Sequence, residues 1–467
     1  MTDYGALLKT QKTTAVRFRT EPVARRKQRI RAVRNWILSH LDDIRAAVHA
    51  DFKKPYAEID STDIYPITSE INHILDHIDD WVKPKKADTP ITMMGLKGEI
   101  RYEPRGACLI IAPWNFPFNL CIGPLIPCLA AGNTAVIKPS EITPSTAALV
   151  SRMIREIFPP DEVTVVEGGP EVSEALLKLP FDHIFFTGSP AIGKIVMRAA
   201  ADHLTTVTLE LGGKSPAIVH EDARLAEAAK RIAFGKFLNN GQTCIAPDHL
   251  YVHASVIDRF LPMLKKEVMD LFASEGDFER SPDYGRIASE KHFNRLSAWL
   301  DDALNNGWET ELGGARDAAT RFFPPHIITG SNMDTAVMQE EIFGPILPVL
   351  VYSEIDDVMR QLTGAHKPLS LYVFSSSRSF CDRVARETSS GSVGFNECLV
   401  QFLHPNLPFG GVNHSGMGNS HGYFGFQAFS NEKAVVRQLP VFATSHLFHP
   451  PYRPWMRRLM ALLFRWF

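Results

Sequence analysis

The chain is 467 residues long, 45% hydrophobic and 22% charged, with a formal net charge of −2 at pH 7. That length suits two or three domains at roughly 100–200 residues each, and the near-neutral balance removes any electrostatic case for nucleic acid as a partner. The composition is that of a globular protein, and no stretch reaches the roughly 20 apolar residues of a membrane-spanning helix.

The first part of the chain reads as helical. Ile30, Val33, Ile37, Leu41, Ile44 and Val48 recur at steps of three and four, so they line one face. Ile64, Ile67, Ile71, Ile74, Ile78 and Trp81 do the same, and Pro84 ends that helix. The N-terminus has no basic-then-apolar secretory leader, so a cytoplasmic location is expected. In that compartment Cys108, Cys121, Cys128, Cys244, Cys381 and Cys398 are expected as free thiols. Most sit among apolar neighbours and read as core packing; Cys244 does not.

From Cys108 the pattern changes to short apolar runs, each followed by a Gly/Pro break and a helix-like segment. The runs are Cys108–Ala112, Ala135–Ile137, Val163–Val166, His183–Phe186 and Val207–Leu209. Alternation of this kind predicts an α/β fold, a parallel sheet with helices on both faces. Ligands bind at the carboxyl ends of such strands, and Asn115, Lys138, Glu141, Gly188 and Glu210 each sit just past a run. Ala217–Val219, Leu250–His253, Ile346–Tyr352, Leu371–Phe374 and Ser392–Phe395 predict a second α/β unit. The Gly-, Asn-, His- and Phe-rich stretch after Gly391, to about Ala443, reads as an extended arm or a return across both units.

Cys244 lies in Asn239-Asn240-Gly241-Gln242-Thr243-Cys244-Ile245-Ala246-Pro247-Asp248, among small and polar residues after a helical segment. A thiol placed there is placed to react, and the reactive form is the thiolate, which needs a lowered pKa or a nearby base. Glu210, in Leu209-Glu210-Leu211-Gly212-Gly213-Lys214, is the candidate base; alone it would read as a loop charge. Attack on a carbonyl makes an oxyanion that needs donors, and losing one donor costs about 3–4 kcal/mol of transition-state stabilisation. Asn115, held between Pro113-Trp114 and Phe116-Pro117, is the candidate donor with the Cys244 backbone N–H; alone it would read as a turn residue.

Together these stretches resemble the aldehyde dehydrogenase superfamily over nearly the whole chain. The matching segments also include Lys138-Pro139-Ser140-Glu141, Phe185-Phe186-Thr187-Gly188-Ser189, Gly241-Gln242-Thr243-Cys244, Glu340-Glu341-Ile342-Phe343-Gly344-Pro345 and Pro408-Phe409-Gly410-Gly411. The Cys244-Ile245-Ala246-Pro247-Asp248 and Ser415-Gly416-Met417-Gly418 stretches are similar to the class 3 branch of fatty, aromatic and coniferyl-type enzymes. Asn413-His414-Ser415 departs from the smaller, glycine-rich stretch expected there.

The resemblance implies a Rossmann-type nicotinamide domain (1–208, with an arm strand near 92–104), a catalytic domain (209–391), a bridging and oligomerisation arm (392–446) and a tail (447–467). It implies Cys244 as nucleophile, Asn115 as oxyanion donor and Glu210 as activator of the hydrolytic water. Lys138 and Glu141 would contact the adenosine ribose, Gly188 and Ser189 the pyrophosphate, and Glu341 with Phe343 the nicotinamide side. Trp114, Thr187, Gly193, Leu211 and Gly212 complete the cofactor set. A carboxylate at Glu141 favours NAD, with NADP as the alternative, since it accepts from a 2′-hydroxyl and repels a 2′-phosphate. No metal is expected. The expected substrate is a lipophilic aldehyde and the expected assembly a homodimer. Two other readings stay open: acyl transfer or thioester hydrolysis through Cys244 without oxidation, which the cofactor segments disfavour, and a non-catalytic binding protein, which Cys244, Glu210 and Asn115 together disfavour.

Gly188-Ser189-Pro190-Ala191-Ile192-Gly193-Lys194 nearly spells a Walker A loop, but Ile195 stands where that loop needs a hydroxyl for Mg²⁺. His73 and His77 have metal-ligand spacing without a third ligand, and a plain helix surface is the expectation. The tail, Met456 to Phe467, places Arg457, Arg458 and Arg465 in one arc shared only with Ala461, which predicts a basic amphipathic helix. It is expected either to cap a substrate funnel or partner subunit, or to touch an anionic membrane.

Overall fold

In the computed structural model, which describes residues 3–440, 444 and 449–466, the strands form three sheets. Two early strands, β1 (Lys85–Ala87) and β2 (Leu96–Pro104), precede a parallel set: β3 (Ala107–Ile111), β4 (Thr134–Lys138), β5 (Val163–Val165), β6 (His183–Gly188) and β7 (Thr206–Leu211). A second set follows: β8 (Pro216–Val219), β9 (His249–His253), β10 (Glu309–Leu312), β11 (His326–Thr329), β12 (Ile346–Tyr352), β13 (Ser370–Phe374) and β14 (Ser392–Phe395). The chain returns as β15 (Gly416–Met417) and β16 (Ser430–Gln438).

The six-stranded sheet runs β15-β7-β6-β3-β4-β5, and the seven-stranded sheet β10-β11-β12-β9-β8-β13-β14. Every predicted apolar run falls on one of their strands. Both sheets are covered on two faces, which is why the central strands read as unbroken apolar runs rather than alternating ones. In the first sheet Cys108, Ile110, Ala135 and Ile137 pack on one side against the N-terminal helices. Leu109, Val136 and Ile184 pack on the other against Leu176, Phe181 and Val196. Each such buried aliphatic side chain contributes roughly 1.5–3 kcal/mol.

The N-terminal apolar face is buried as expected, with Ile30, Val33, Ile37, Ile44 and Val48 all at 0% exposure. It is carried by two helices rather than one, Val23–Ser39 and Leu41–Phe52. The break falls at His40, whose ring stacks on Trp36 at 4.1 Å. Its Nδ1 lies 2.8 Å from the Trp36 carbonyl, the acceptor a continuing helix would have used for the His40 backbone N–H. A π-helical turn, Asp60–Ile64, then leads into the helix Tyr65–Trp81.

Two expected domain boundaries fall inside or next to strands of the large sheets. The division at 208/209 cuts β7, which pairs in parallel with β6 as far as Leu211; the chain leaves that sheet at Gly212-Gly213. The division at 391/392 would give β14 to the arm, yet Ser392–Phe395 pairs in parallel with β13 as the edge of the seven-stranded sheet. The parallel pairing needs a crossover, and helix Arg378–Glu387 supplies it. The return segment is shared out in turn: β15 pairs with β7, and β16 pairs along the length of β2 beside β1.

One contact sets the helix that follows the carboxyl end of β4. Asp51 accepts from the backbone N–H groups of Ser145 and Thr146, both at 3.0 Å, and from the Thr146 hydroxyl at 2.7 Å. It thereby satisfies the open N-terminus of helix Pro144–Ile157 from another element. Asp51→Ala leaves those donors buried without an acceptor, and chemical denaturation should show a loss of about 1–3 kcal/mol; a change under 0.5 kcal/mol would contradict this.

Candidate active site

The six-stranded sheet presents the carboxyl ends of β6 and β7, and the seven-stranded sheet the amino ends of β8, β9 and β13, to a shared cleft of about 940 Å³. Of the expected site residues, Trp114, Asn115, Glu210, Cys244, Glu341 and Phe343 line it. Thr187, Gly188, Ser189, Leu211 and Gly212 do so as well. Lys138, Glu141 and Gly193 lie outside its lining. Lys138 ends β4 beneath the surface, its ammonium bound to Glu141 at 2.9 Å and to the Pro139 carbonyl at 2.8 Å. Gly193 lies under Leu211, where a Cβ would stand 2.8 Å from Leu211 Cδ2.

Cys244 follows an unusual turn. Asn239, Asn240 and Gly241 are all left-handed, with φ of 52°, 55° and 72°. Asn tolerates that region better than most residues and Gly tolerates it freely. A Cβ at Gly241 would run into the Gly344 carbonyl. Side chains lock the turn. Gln242 donates to the Asn239 and Arg286 carbonyls at 3.0 and 3.1 Å and accepts from Ala288 N–H at 2.9 Å. Tyr372 donates its hydroxyl to the Ile245 carbonyl at 2.7 Å. Asn115, buried, donates one amide N–H to the Gln242 carbonyl at 3.0 Å. An amide nitrogen carries two donors, so the same group can serve both the turn and a ligand beside the thiol.

Of the six free cysteines, Cys244 alone is partly exposed. Burial, then the carboxyls of Glu341 and Glu210, push its thiol up to about 12, while the backbone N–H groups of Cys244 and Ile245 pull it down. Those N–H groups therefore favour negative charge at this spot. Burial also pushes the Glu210 carboxyl up to about 8. Neither of its oxygens has a hydrogen-bond partner. The neighbouring Ser420 hydroxyl donates to the Phe409 carbonyl at 3.2 Å and offsets little of that rise. A buried carboxyl without a partner, facing a cleft it shares with a thiol, is suited to taking and giving a proton near neutral pH.

Glu341 and Phe343 face the cleft from a loop between the helix Ala336–Gln339 and β12. Glu341 lies directly against Gly212, leaving no room for a side chain there. Burial pushes its carboxyl up to about 8, opposed by the Gly213 N–H and Lys214. Phe343 holds a left-handed φ of 48°, strained for a bulky residue, with its ring edge-on to Trp114 at 5.4 Å. Asp248 anchors this loop by accepting the Ile342 N–H at 2.9 Å, and it pairs with Lys214, which also donates to the Val337 and Glu340 carbonyls. Burial alone would raise the Asp248 carboxyl; Lys214, His249 and Lys236 instead hold it well below the usual range.

Across the cleft, helix Pro190–Ala201 begins at the rim with Ser189 as its N-cap. Free N–H groups and a helix dipole at that rim suit the diphosphate of a dinucleotide. Gly212, whose missing side chain makes room for the Glu341 carboxylate, and the buried Lys138 ammonium with the exposed Glu141 carboxylate fit the same ligand. The Walker-like stretch is thus a helix start at the cleft rim. His73 and His77 form part of a surface ring ladder with Trp81, their centroids 4.4 Å apart. Gln242 and Asp248 flank Cys244 along the chain, but no spacing or residue pattern assigns their side chains a task. Tyr372 gave no signal, because its target is a backbone carbonyl 127 residues away along the chain.

Two doubly covered sheets meeting over a cleft with a partly exposed thiol and a dinucleotide-type helix start define an α/β oxidoreductase. The chain belongs to the aldehyde dehydrogenase family, whose family model matches residues 2–435. It is 42% identical to the 4,4′-diaponeurosporen-aldehyde dehydrogenase of Staphylococcus aureus, over 97% of this chain and 95% of that one. It is 39% identical to the aldehyde dehydrogenase family 3 member A2 of Pongo abelii, over 93% and 88%. The substrate-bound state of Staphylococcus aureus AldH superposes with a TM-score of 0.94 at 40% identity, covering 99% of this chain and 100% of that one. A Mycobacterium tuberculosis aldehyde dehydrogenase complexed with NAD+ gives 0.82 at 26% identity, covering 91% and 87%. The protein is accordingly a nicotinamide-dependent enzyme that oxidises aldehydes to acids.

Asp248→Ala should raise the KM for the nicotinamide cofactor about 10- to 150-fold, since a hydrogen bond to a charged group is worth about 1.5–3 kcal/mol. Steady-state kinetics at varied cofactor check this, and an unchanged KM would remove Asp248 from the account.

Proposed function

We propose that the protein oxidises a lipophilic aldehyde, medium- or long-chain aliphatic or aromatic, through a covalent intermediate on Cys244. The observation that carries this reading is the pairing of the unpartnered, buried Glu210 carboxyl with a partly exposed thiol in one cleft. The thiol adds to the aldehyde carbon and its proton passes to Glu210. The free Asn115 amide N–H and the Cys244 backbone N–H hold the resulting oxyanion. A nicotinamide dinucleotide, when bound, supplies the acceptor for the hydride that leaves the thiohemiacetal carbon. The product at Cys244 is a thioester. Glu210 gives up that first proton to solvent, then takes one from the water that attacks the thioester carbon and returns it to the departing sulfur, which releases the acid and the thiol.

Lys138 and Glu141 are read as holding the adenosine ribose, Thr187, Gly188 and Ser189 the diphosphate, and Glu341 and Phe343 the nicotinamide side. Trp114, Gly193, Leu211 and Gly212 shape the walls. The Glu141 carboxylate beside Lys138 supports NAD over NADP, because it accepts from a ribose hydroxyl and repels a second phosphate. In these terms the cofactor-binding part ends near Gly212 and the catalytic part near Phe395.

Several observations support a lipophilic substrate. Ile245, Leu369 and Phe409 form a buried apolar cluster around Cys244, with Leu399 and Phe402 packed against it. The relative named for 4,4′-diaponeurosporen-aldehyde points the same way. A homodimer is supported by the strand edges at β14 and β16, where Phe395 and Val436 are exposed. Among the described residues no helix is long and apolar enough to cross a membrane. The tail forms a helix, Pro454–Trp466, with Leu462 and Phe464 exposed; residues 447, 448 and 467 of the tail lie outside the described set. Exposed apolar groups beside Arg457, Arg458 and Arg465 support peripheral contact of a cytoplasmic enzyme with an anionic membrane.

NADH absorbance across aliphatic and aromatic aldehydes of graded size tests the substrate class, with NAD expected to give the higher kcat/KM over NADP. Cys244→Ser should abolish NADH production while cofactor binding persists; appreciable residual turnover would sink the mechanism. A carboxyl raised to about 8 is protonated below that pH and charged above it, so kcat should rise as pH passes 8. Glu210→Gln should remove that rise and lower kcat by about 10²–10⁴-fold; a variant keeping the rise would assign it elsewhere. Truncation after Tyr452 should weaken co-sedimentation with anionic liposomes, whereas unchanged binding would favour a capping role for the tail.

A further inference from the structure

A buried ion pair lies behind the Asn115 loop, far from the thiol in sequence. Helix Leu41–Phe52 ends at Lys53 with a left-handed φ of 57°, and the next residue, Lys54, is 1% exposed. The Lys54 ammonium donates to Asp63 Oδ2 at 2.9 Å and to the Asn115 backbone carbonyl at 3.3 Å. It also lies 4.2 Å from the centre of the Phe116 ring. Asp63, fully buried, is presented by the π-helical turn Asp60–Ile64 and accepts the Asn119 N–H at 3.3 Å through its other oxygen. The pair thus grips the Asn115 loop at Asn115 and at Asn119.

The Asn115 carbonyl has a second donor. Asn239 Nδ2 reaches it at 2.8 Å from the left-handed turn that precedes Cys244. One backbone oxygen therefore joins the ion pair, the Asn115 loop and the thiol's own turn. Stability alone gives little reason for such a pair, because replacing a buried pair with apolar residues of similar volume is often neutral or stabilising. Fixing the position of a reacting group is a different matter, since a misplacement of about 1 Å can cost about 10²-fold in rate.

We propose that Lys54 is a positioning residue for the oxidation: through the Asn115 carbonyl its ammonium fixes the Asn115 amide against the Cys244 turn, with Asp63 orienting the ammonium. This rests on reading Asn115 as the oxyanion donor. Lys54 touches neither substrate nor cofactor and transfers no proton.

The test replaces both charges at once, because Lys54→Met alone would strand Asp63. The pair Lys54→Met with Asp63→Leu should keep the melting temperature within a few degrees and leave the KM for NAD unchanged. It should lower kcat about 10- to 100-fold. Lys54→Gln with Asp63→Asn keeps an N–H donor for the Asn115 carbonyl and should recover much of that loss at equal stability; this second pair also serves if the first does not fold. In an Asn115→Ala background the apolar pair should add less than about a twofold further loss, because the positioned group is gone. Full kcat in the apolar pair, or equal losses with and without Asn115, overturns the positioning role. Wild-type kcat in Asn115→Ala alone overturns the oxyanion reading instead, and the Lys54 proposal with it.

Discussion

One carboxylate organises the cleft. Asp248 is buried, and it keeps its charge because Lys214 stands against it. Through it the crossing after β7 and the Glu341 loop become one unit: Lys214 belongs to the first and the Ile342 N–H to the second. Asp248 itself is continuous with the Cys244 turn, and its own N–H donates to the Ser215 carbonyl at 2.7 Å. The distance between thiol and Glu341 is thus set by a short charged clamp rather than by the packing of whole domains. A charge-assisted bond in a low-dielectric site is suited to that task because it is strong and directional.

The groups facing the cleft behave in the opposite way. Burial pushes Cys244 up to about 12, and Glu210 and Glu341 each to about 8. At neutral pH the resting site therefore holds little ionic charge at the positions where chemistry would create it. That arrangement guards a thiol against adventitious oxidation, since the reactive species is the thiolate. It also makes ionisation conditional on partners: the backbone N–H groups of Cys244 and Ile245 and the carboxyl at Glu210. The unpaired carboxyl and the left-handed Asn239 and Asn240 before Cys244 are local costs of the kind that functional sites carry.

Much of the fold was legible in the sequence because its central strands are buried on both faces. β3 and β4 are wholly apolar or capped at their ends, and no helix period fits runs so short. β10 and β16 escaped because they lie at sheet edges with mostly exposed residues, which leaves no apolar run to read. The break at His40 was hidden for another reason: the apolar period passes through it unbroken, while a single imidazole takes over the Trp36 carbonyl. At the site, Cys244, Glu210 and Asn115 announced themselves through their neighbours along the chain. Lys54 and Asp63 did not. A lysine after a helix and an aspartate in a polar turn read as surface, and only the tertiary fold turns them inward against Asn115.

The pairing of β15 with β7 places Gly416 opposite Glu210, and the Leu211 N–H donates to the Ser415 carbonyl at 3.0 Å. The open side of β7 is therefore closed by chain made roughly two hundred residues later. At about 5–20 residues per second, a ribosome needs roughly 10–40 s to make that stretch. For that interval the nascent five strands end in a bare β7 that carries Glu210, a site for mispairing with neighbouring chains. Closure of the sheet edge beside Glu210 and protection of that edge from mispairing arrive together, with the same few residues of β15.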